Sequence, residues 1–253
     1  MPEVITQKGL VLHETAYGET DKIIDILTNT GIRTIRVRGA RKPQSKYAAV
    51  TQAFSYCEFC MQSARGKLYL DSAAPICLFF PLRTDLTALA LAAYFAELIR
   101  LVETDQYQPD NLRLFLICLH YLSEKLRAPA QIKAVFELRL FSSIGLRPDL
   151  LICAECFAFL PEHPVLRIDR GDMVCAECSD GDGNEIAVTQ ETLCAVRHTI
   201  YAELDQVLAF RVTGRSLRFF SQYAERFVLH HLDGLNSRLP SLRYYKDIAS
   251  EDT

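Results

Sequence analysis

The chain has 253 residues, with 28 Lys and Arg against 31 Asp and Glu, a formal net charge of −3 and 49% hydrophobic residues. That balance is ordinary for a globular chain of one large or two to three small domains, and it excludes a uniformly basic nucleic-acid binder. The longest weakly polar run, ALALAAYFAELI, is too short to span a bilayer, so no membrane segment is expected.

The first eighty residues alternate with a period near two. KGLVLHETAY, DKIIDILT, IRTIRVRG, AFSYCEFCMQ and KLYLDSAAPICLF predict five strands, bounded by Gly18, Asn29-Thr30-Gly31, the loop from Ala40 to Lys46, and Arg65-Gly66. Five short strands with little helix predict a small barrel. The OB-fold is the commonest of this size and binds oligonucleotides on its concave face and loops; an SH3-like barrel is the alternative.

Charge is unevenly spread. Residues 1–80 hold ten Lys/Arg against seven Asp/Glu, and residues 31–50 contain Arg33, Arg36, Arg38, Arg41, Lys42 and Lys46 with no acid. With Tyr47 close by and Phe54 on the next strand, these residues match a single-stranded nucleic-acid groove, where cations track phosphates and rings stack on bases. A solvated loop is the plainer alternative. Asp21 and Asp25, beside Lys22, are expected to be surface residues.

From about Arg83 the period becomes helical. TDLTALALAAYFAELIRLVE, with Thr84 as its expected cap, PDNLRLFLICLHYLSEKL and PAQIKAVFELRLFSSIGL predict three packed helices. Further helices open at Thr189 and between Thr213 and Leu217, and the tail KDIASEDT is expected to be disordered. In GRSLRFFSQYAERFVLHHL, Arg215, Arg218 and Arg226 share a stripe with Gln222, beside a core stripe of Phe219, Phe220, Tyr223 and Phe227. The arginine stripe is either a solvated face or an extension of a phosphate track.

Between these helices lie ICAECF and VCAECS. Cys153 and Cys156, then Cys175 and Cys178 after eighteen intervening residues, form two Cys-x2-Cys knuckles with the spacing of a four-thiolate zinc site. MPEVITQKGL lacks the apolar core of a secretory signal, so a reducing, cytoplasmic compartment is expected and the disulfide reading recedes. A zinc ion with four thiolates has no open position, so the site is expected to be structural, with His163 left as a solvated loop residue. Arg167 and Arg170 face six acids between residues 152 and 180, so the knuckles should repel phosphate. Cys57, Cys60, Cys77, Cys118 and Cys194 are expected to behave as small hydrophobes. No phosphate-binding loop, nucleophile elbow or HExxH motif is present, and no catalytic constellation is expected.

GLVLHETAYGETDKIIDILT, RGARKPQSKY, FELRLFSSIGLRPDLLICAECF and the second cysteine pair, in that order, resemble the RecO family of bacterial recombination mediators over nearly the whole chain. The resemblance implies an α+β protein: an N-terminal OB-fold barrel over residues 1–80, then an α-helical domain over 81–253 with a zinc-binding insertion at 150–182. It implies a non-enzymatic, nucleoid-associated protein of the RecF pathway. Such a protein binds single- and double-stranded DNA, anneals complementary strands and, with RecR, helps load RecA onto DNA coated by single-strand DNA-binding protein (SSB). The family's DNA-binding region coincides with residues 38–46. Arg113, Lys133 and Arg139 are candidates for holding the acidic SSB tail. A zinc-ribbon scaffold that joins protein subunits without touching nucleic acid is the alternative, and it leaves residues 31–50 unexplained.

Overall fold

The computed structural model describes residues 3–102, 108–232 and 239–251. Strands β1 (Glu3–Tyr17), β2 (Asp21–Thr28), β3 (Gly31–Val37), β4 (Tyr56–Ala64) and β5 (Lys67–Cys77) close a barrel in the order β1-β2-β3-β5-β4. β1 serves two neighbours: Glu3 to Leu10 pair with β4, and Gly9 to Tyr17 pair with β2, with a bulge between Val11 and His13. A bulge bends and twists its strand, which lets one strand curl across the barrel. At the overlap sits Gly9, where a Cβ would lie 2.8 Å from Ile26 Cδ1 and 3.3 Å from Leu27 O, so a larger residue would have to displace the Ile26 side chain and crowd β2. Closure comes from β3 and β5, which run parallel and share only the register pairs Ile35↔Leu68 and Arg36↔Tyr69. This is the expected OB-fold. Alternate residues fill its interior, among them Val11, Ile24, Ile35, Phe59 and Met61.

The basic segment between β3 and β4 winds through consecutive turns rather than lying open. Lys42 N donates to Gly39 O, Ser45 N to Lys42 O and Thr51 N to Tyr47 O, while Ala40, Val50 and Phe54 are buried. Phe54 precedes β4 with φ +66° and packs on Phe115 with ring centroids 6.4 Å apart, so it cannot stack on a base as expected.

Helix α1 (Leu86–Val102) starts at Asp85, not Thr84: Ala88 N donates to Asp85 Oδ1 at 3.0 Å, while the Thr84 hydroxyl donates back to Pro81 O. Helices α2 (Asp110–Ser123), α3 (Pro129–Ser143), α4 (Gln190–Tyr201), α5 (Gly214–His231) and α6 (Pro240–Glu251) follow. Two compact units result, residues 1–119 with 244–253 and residues 120–243. No helix among the described residues is long and apolar enough to cross a membrane.

The second unit is built on α3, whose residues from Gln131 to Leu138 are all buried. Its Lys133 is only 1% exposed and lies between Glu137 at 2.8 Å and Glu225 of α5 at 3.0 Å. Arg139 Nη1 donates to the carbonyls of Thr199, Ile200 and Ala202, closing the C-terminal end of α4. Thr189 caps α4 as expected, accepting from Thr192 N. Between α3 and α4 stands a three-stranded sheet of β6 (Pro164–Arg167), β7 (Asp172–Cys175) and β8 (Glu185–Ala187), in the order β7-β6-β8. The β6–β7 hairpin turns at Gly171, φ +64°, where an added Cβ would meet Phe227 at 3.3 Å.

Three further expectations change. Of the tail KDIASEDT, residues 246–251 continue helix α6, whose Leu242 and Tyr245 just before the tail are buried, and residues 252–253 lie outside the described residues. Cys77 and Cys194 are exposed rather than core, unlike Cys57 and Cys118. Asp21 is no bystander, as the barrel face shows.

Candidate nucleic-acid interface and candidate metal centre

The β3–β5 seam is short because β5 begins only at Lys67, so the first half of β3 has no β5 partner. The gap is a groove of about 620 Å³, lined by half-buried Ile5, Ile23, Ile32 and Leu68, with Arg33, Arg36 and Lys67 as its cations and Tyr17 beside them. Arg33 and Lys67 are exposed.

Asp21, at the start of β2, organises the adjoining basic turn. Its carboxylate accepts from Gly39 N at 2.9 Å and from Arg36 Nε and Nη2 at 3.0 and 2.7 Å. The Gly39 amide and then the Arg36 guanidinium hold this acid down at about 2, so it is ionised throughout the neutral range. Arg36 lies over the Tyr17 ring at 4.4 Å and Arg38 over Tyr69 at 4.7 Å, so two cation-ring pairs flank the seam. Arg41 is exposed and donates to Gly18 O; Lys42 is exposed; Lys46 sits 4.9 Å from the Tyr47 ring. Tyr47 itself is half-buried against the barrel core, its hydroxyl donating to Asp71 O at 2.7 Å.

Arg33, Arg36, Arg38, Arg41, Lys42 and Lys46 thus belong to one barrel and its β3–β4 turn. Lys67, Tyr17 and Tyr69 are additions. They stand outside the acid-free run: the pairing of β5 with β3 brings Lys67 and Tyr69 alongside it, and the β1–β2 hairpin brings Tyr17. The α5 arginines are not equivalent: Arg215 covers Phe219 at 5.1 Å and Arg218 is exposed, whereas Arg226 donates to Gly183 O at 2.8 Å.

The four knuckle sulfurs of Cys153, Cys156, Cys175 and Cys178 lie within 4.8 Å of one another. Cys175 Sγ is 3.9 Å from Cys153 Sγ and 3.6 Å from Cys156 Sγ. A tetrahedral ion with bonds of about 2.3 Å requires sulfurs roughly 3.8 Å apart, whereas a disulfide requires about 2.05 Å. The donor set therefore fits one metal ion. The amides of Cys156 and Cys175 donate to Cys153 Sγ at 3.5 and 3.4 Å. Burial opposes ionisation of Cys153, but amide donors from Cys156, Glu155 and Cys175 outweigh it and bring the thiol down to about 6. Cys175 is pushed up, first by its hydrogen bond to Cys178 and then by burial. Thiols so close cannot all ionise unless a cation lies between them. His163 takes no part in the cluster. Arg167, 3% exposed, is held by Asp172 and Glu155, so it offers no free cation at the knuckle surface.

Both halves of the chain match known families. Residues 1–79 match the family model described as Recombination protein O N terminal, and residues 83–239 match Recombination protein O C terminal. The chain belongs to the RecO family. It is 32% identical to the DNA repair protein RecO of Bacillus subtilis over 79% of this chain and 78% of that protein. It is 31% identical to that of Anaeromyxobacter sp. strain K over 95% of each chain. Against that of Acetivibrio thermocellus, identity is 27% over 93% of this chain and 94% of the relative.

Two of the three cations expected to face an SSB tail are corrected. Lys133 is sealed between two carboxylates inside the second unit, and Arg139 is spent on the α4 carbonyls. Spacing on a helix did not reveal that α3 is buried on every side. Arg113 of α2 is exposed.

Proposed function

We propose that this RecO-family chain is a non-enzymatic DNA-binding mediator of recombinational repair. It binds single- and double-stranded DNA through the barrel, anneals complementary strands and, with RecR, assists RecA loading onto SSB-coated DNA in the cytoplasm. The observation that carries the reading is the barrel's cationic face: a groove with apolar lining, Arg33, Lys67 and Arg36 within it, and the acid-free turn of Arg38, Arg41, Lys42 and Lys46 adjoining it. Apolar surface suits base rings, and cations suit the phosphates that connect them. Arg215 and Arg218 are a secondary track. Zinc is the ion proposed for the cysteines, where it would hold the knuckles to the β6–β7–β8 sheet and supply folding energy rather than chemistry.

The test is an anisotropy titration with single-stranded and duplex oligonucleotides at two salt concentrations. Changing Arg38, Arg41 and Lys42 together to Ala should weaken binding of all sequences alike and flatten the log-log salt slope by about two to three units. Lys67→Ala should remove about one further unit. A folded quadruple variant that keeps affinity and slope would refute the barrel as the DNA site.

A further inference from the structure

The first knuckle carries more exposed apolar surface than its metal requires. Phe157 is 70% exposed, Phe159 58% and Leu160 57%, with Leu151 and Ile152 also exposed. Phe157 also takes φ +63°, held there by the bond from its amide to Cys153 O. That left-handed conformation suits glycine and strains any other residue. A phenylalanine in a glycine's backbone position, with its ring in solvent, serves neither the fold nor the sulfurs. Glu162 is exposed two residues after Leu160, Glu155 is exposed on the same knuckle and pairs with Arg167, and Glu177 is exposed on the second knuckle. The cation against these rings is Arg197, 4.8 Å from the Phe159 ring. A metal held by four thiolates adds further negative charge. The module is an aromatic knob with an acidic surround.

The barrel groove has the opposite character: apolar lining and the cations Arg33, Arg36 and Lys67. Interfaces are anchored where aromatic side chains fill desolvated pockets and opposite charges meet around them. We infer that the Phe157–Leu160 knob of one copy docks in the barrel groove of a second copy. Because knob and groove are different surfaces, the contact is head-to-tail and can propagate from copy to copy. DNA in the groove excludes the knob, so single-stranded DNA releases the assembly into DNA-bound single copies. Only this competition rests on the DNA reading above; the association itself does not.

Sedimentation velocity of the full chain tests both parts. At low salt the wild type should gain mass with concentration, and Phe157→Gly should weaken association at least tenfold. That variant relieves the left-handed strain, so it should stay folded, keep its metal and bind oligo(dT) as the wild type does. Lys67→Glu should weaken association similarly, and Glu162→Lys in the same chain should partly restore it. Mixing the Phe157→Gly chain, which has a groove but no knob, with the Lys67→Glu chain, which has a knob but no groove, should rebuild one contact and stop at a pair. Mixing Phe157→Gly with wild type should instead end growing chains and lower the mean mass. A wild type that is a single copy at every concentration, or folded variants that associate as wild type does, would overturn the inference. So would an assembly that persists with oligo(dT) bound. If oligo(dT) fails to bind at all, the DNA reading fails, while the salt- and Phe157-dependent association still supports the docking.

Discussion

Asp21 shows how one side chain can set a local arrangement that its sequence neighbourhood conceals. As a residue four before Asp25 and next to Lys22 it read as surface; its real partners, Arg36 and Gly39, arrive only when β3 pairs with β2. An aspartate with the ordinary value of 3.8 is held at about 2 in the fold. Its anion therefore stabilises the barrel fully above the ordinary value and loses that contribution as pH falls from about 4 toward 2. Asp21→Asn should lack this loss, so denaturant midpoints measured across that window should fall less steeply with acid than those of the wild type. Matching pH profiles would show that the pair contributes nothing. Tyr47 and Phe54 teach the same lesson from the other side: both are aromatic and near cations, but one is tied to Asp71 and the other sealed on Phe115. The knuckle cysteines were legible because four thiolates must be local in pairs, and spacing alone encodes the pairs.

At the scale of elements, period revealed most helices and strands, and failed where burial was not one-sided or where the segment was short. α3 reads as an amphipathic helix with a lysine on its face, yet its Lys133 is 1% exposed. Burial alone would depress that ammonium, but Glu137 and Glu225 hold it up. Removing the cation breaks a buried ion pair with Glu137 and a half-buried one with Glu225, so Lys133→Met should cost about 3–5 kcal/mol. Chemical denaturation would measure it, and a combined Lys133→Met, Glu137→Gln, Glu225→Gln chain should recover part of the loss. Only three residues long, β8 offers too little alternation to be seen. α6 was hidden because its polar residues resemble a tail until Leu242 and Tyr245 find buried places.

For the whole molecule, the net charge of −3 misleads, because residues 1–80 are basic and the knuckle surface is acidic. Composition revealed that division; it could not show that Arg167 is withdrawn into ion pairs or that Lys67 joins the basic face. If the metal is structural, chelation should open residues 150–182 to protease while the barrel strands stay resistant. Cys153→Ser should reproduce this and lower zinc content, as read by atomic absorption. Equal resistance with and without chelator would count against a structural ion. The barrel has its own weak place, since its ring of hydrogen bonds closes through two register pairs between β3 and β5. Parallel pairing is slightly weaker per residue, and opening starts where backbone bonds are few and solvated. The amides of Ile35 and of Leu68 to Tyr69 should therefore exchange with deuterium sooner than those between β1 and β2, and a strand lying across Arg33 and Lys67 should slow them. The barrel would then be a clasp that its own cargo fastens, with the rate of exchange at one seam reporting how long the cargo stays.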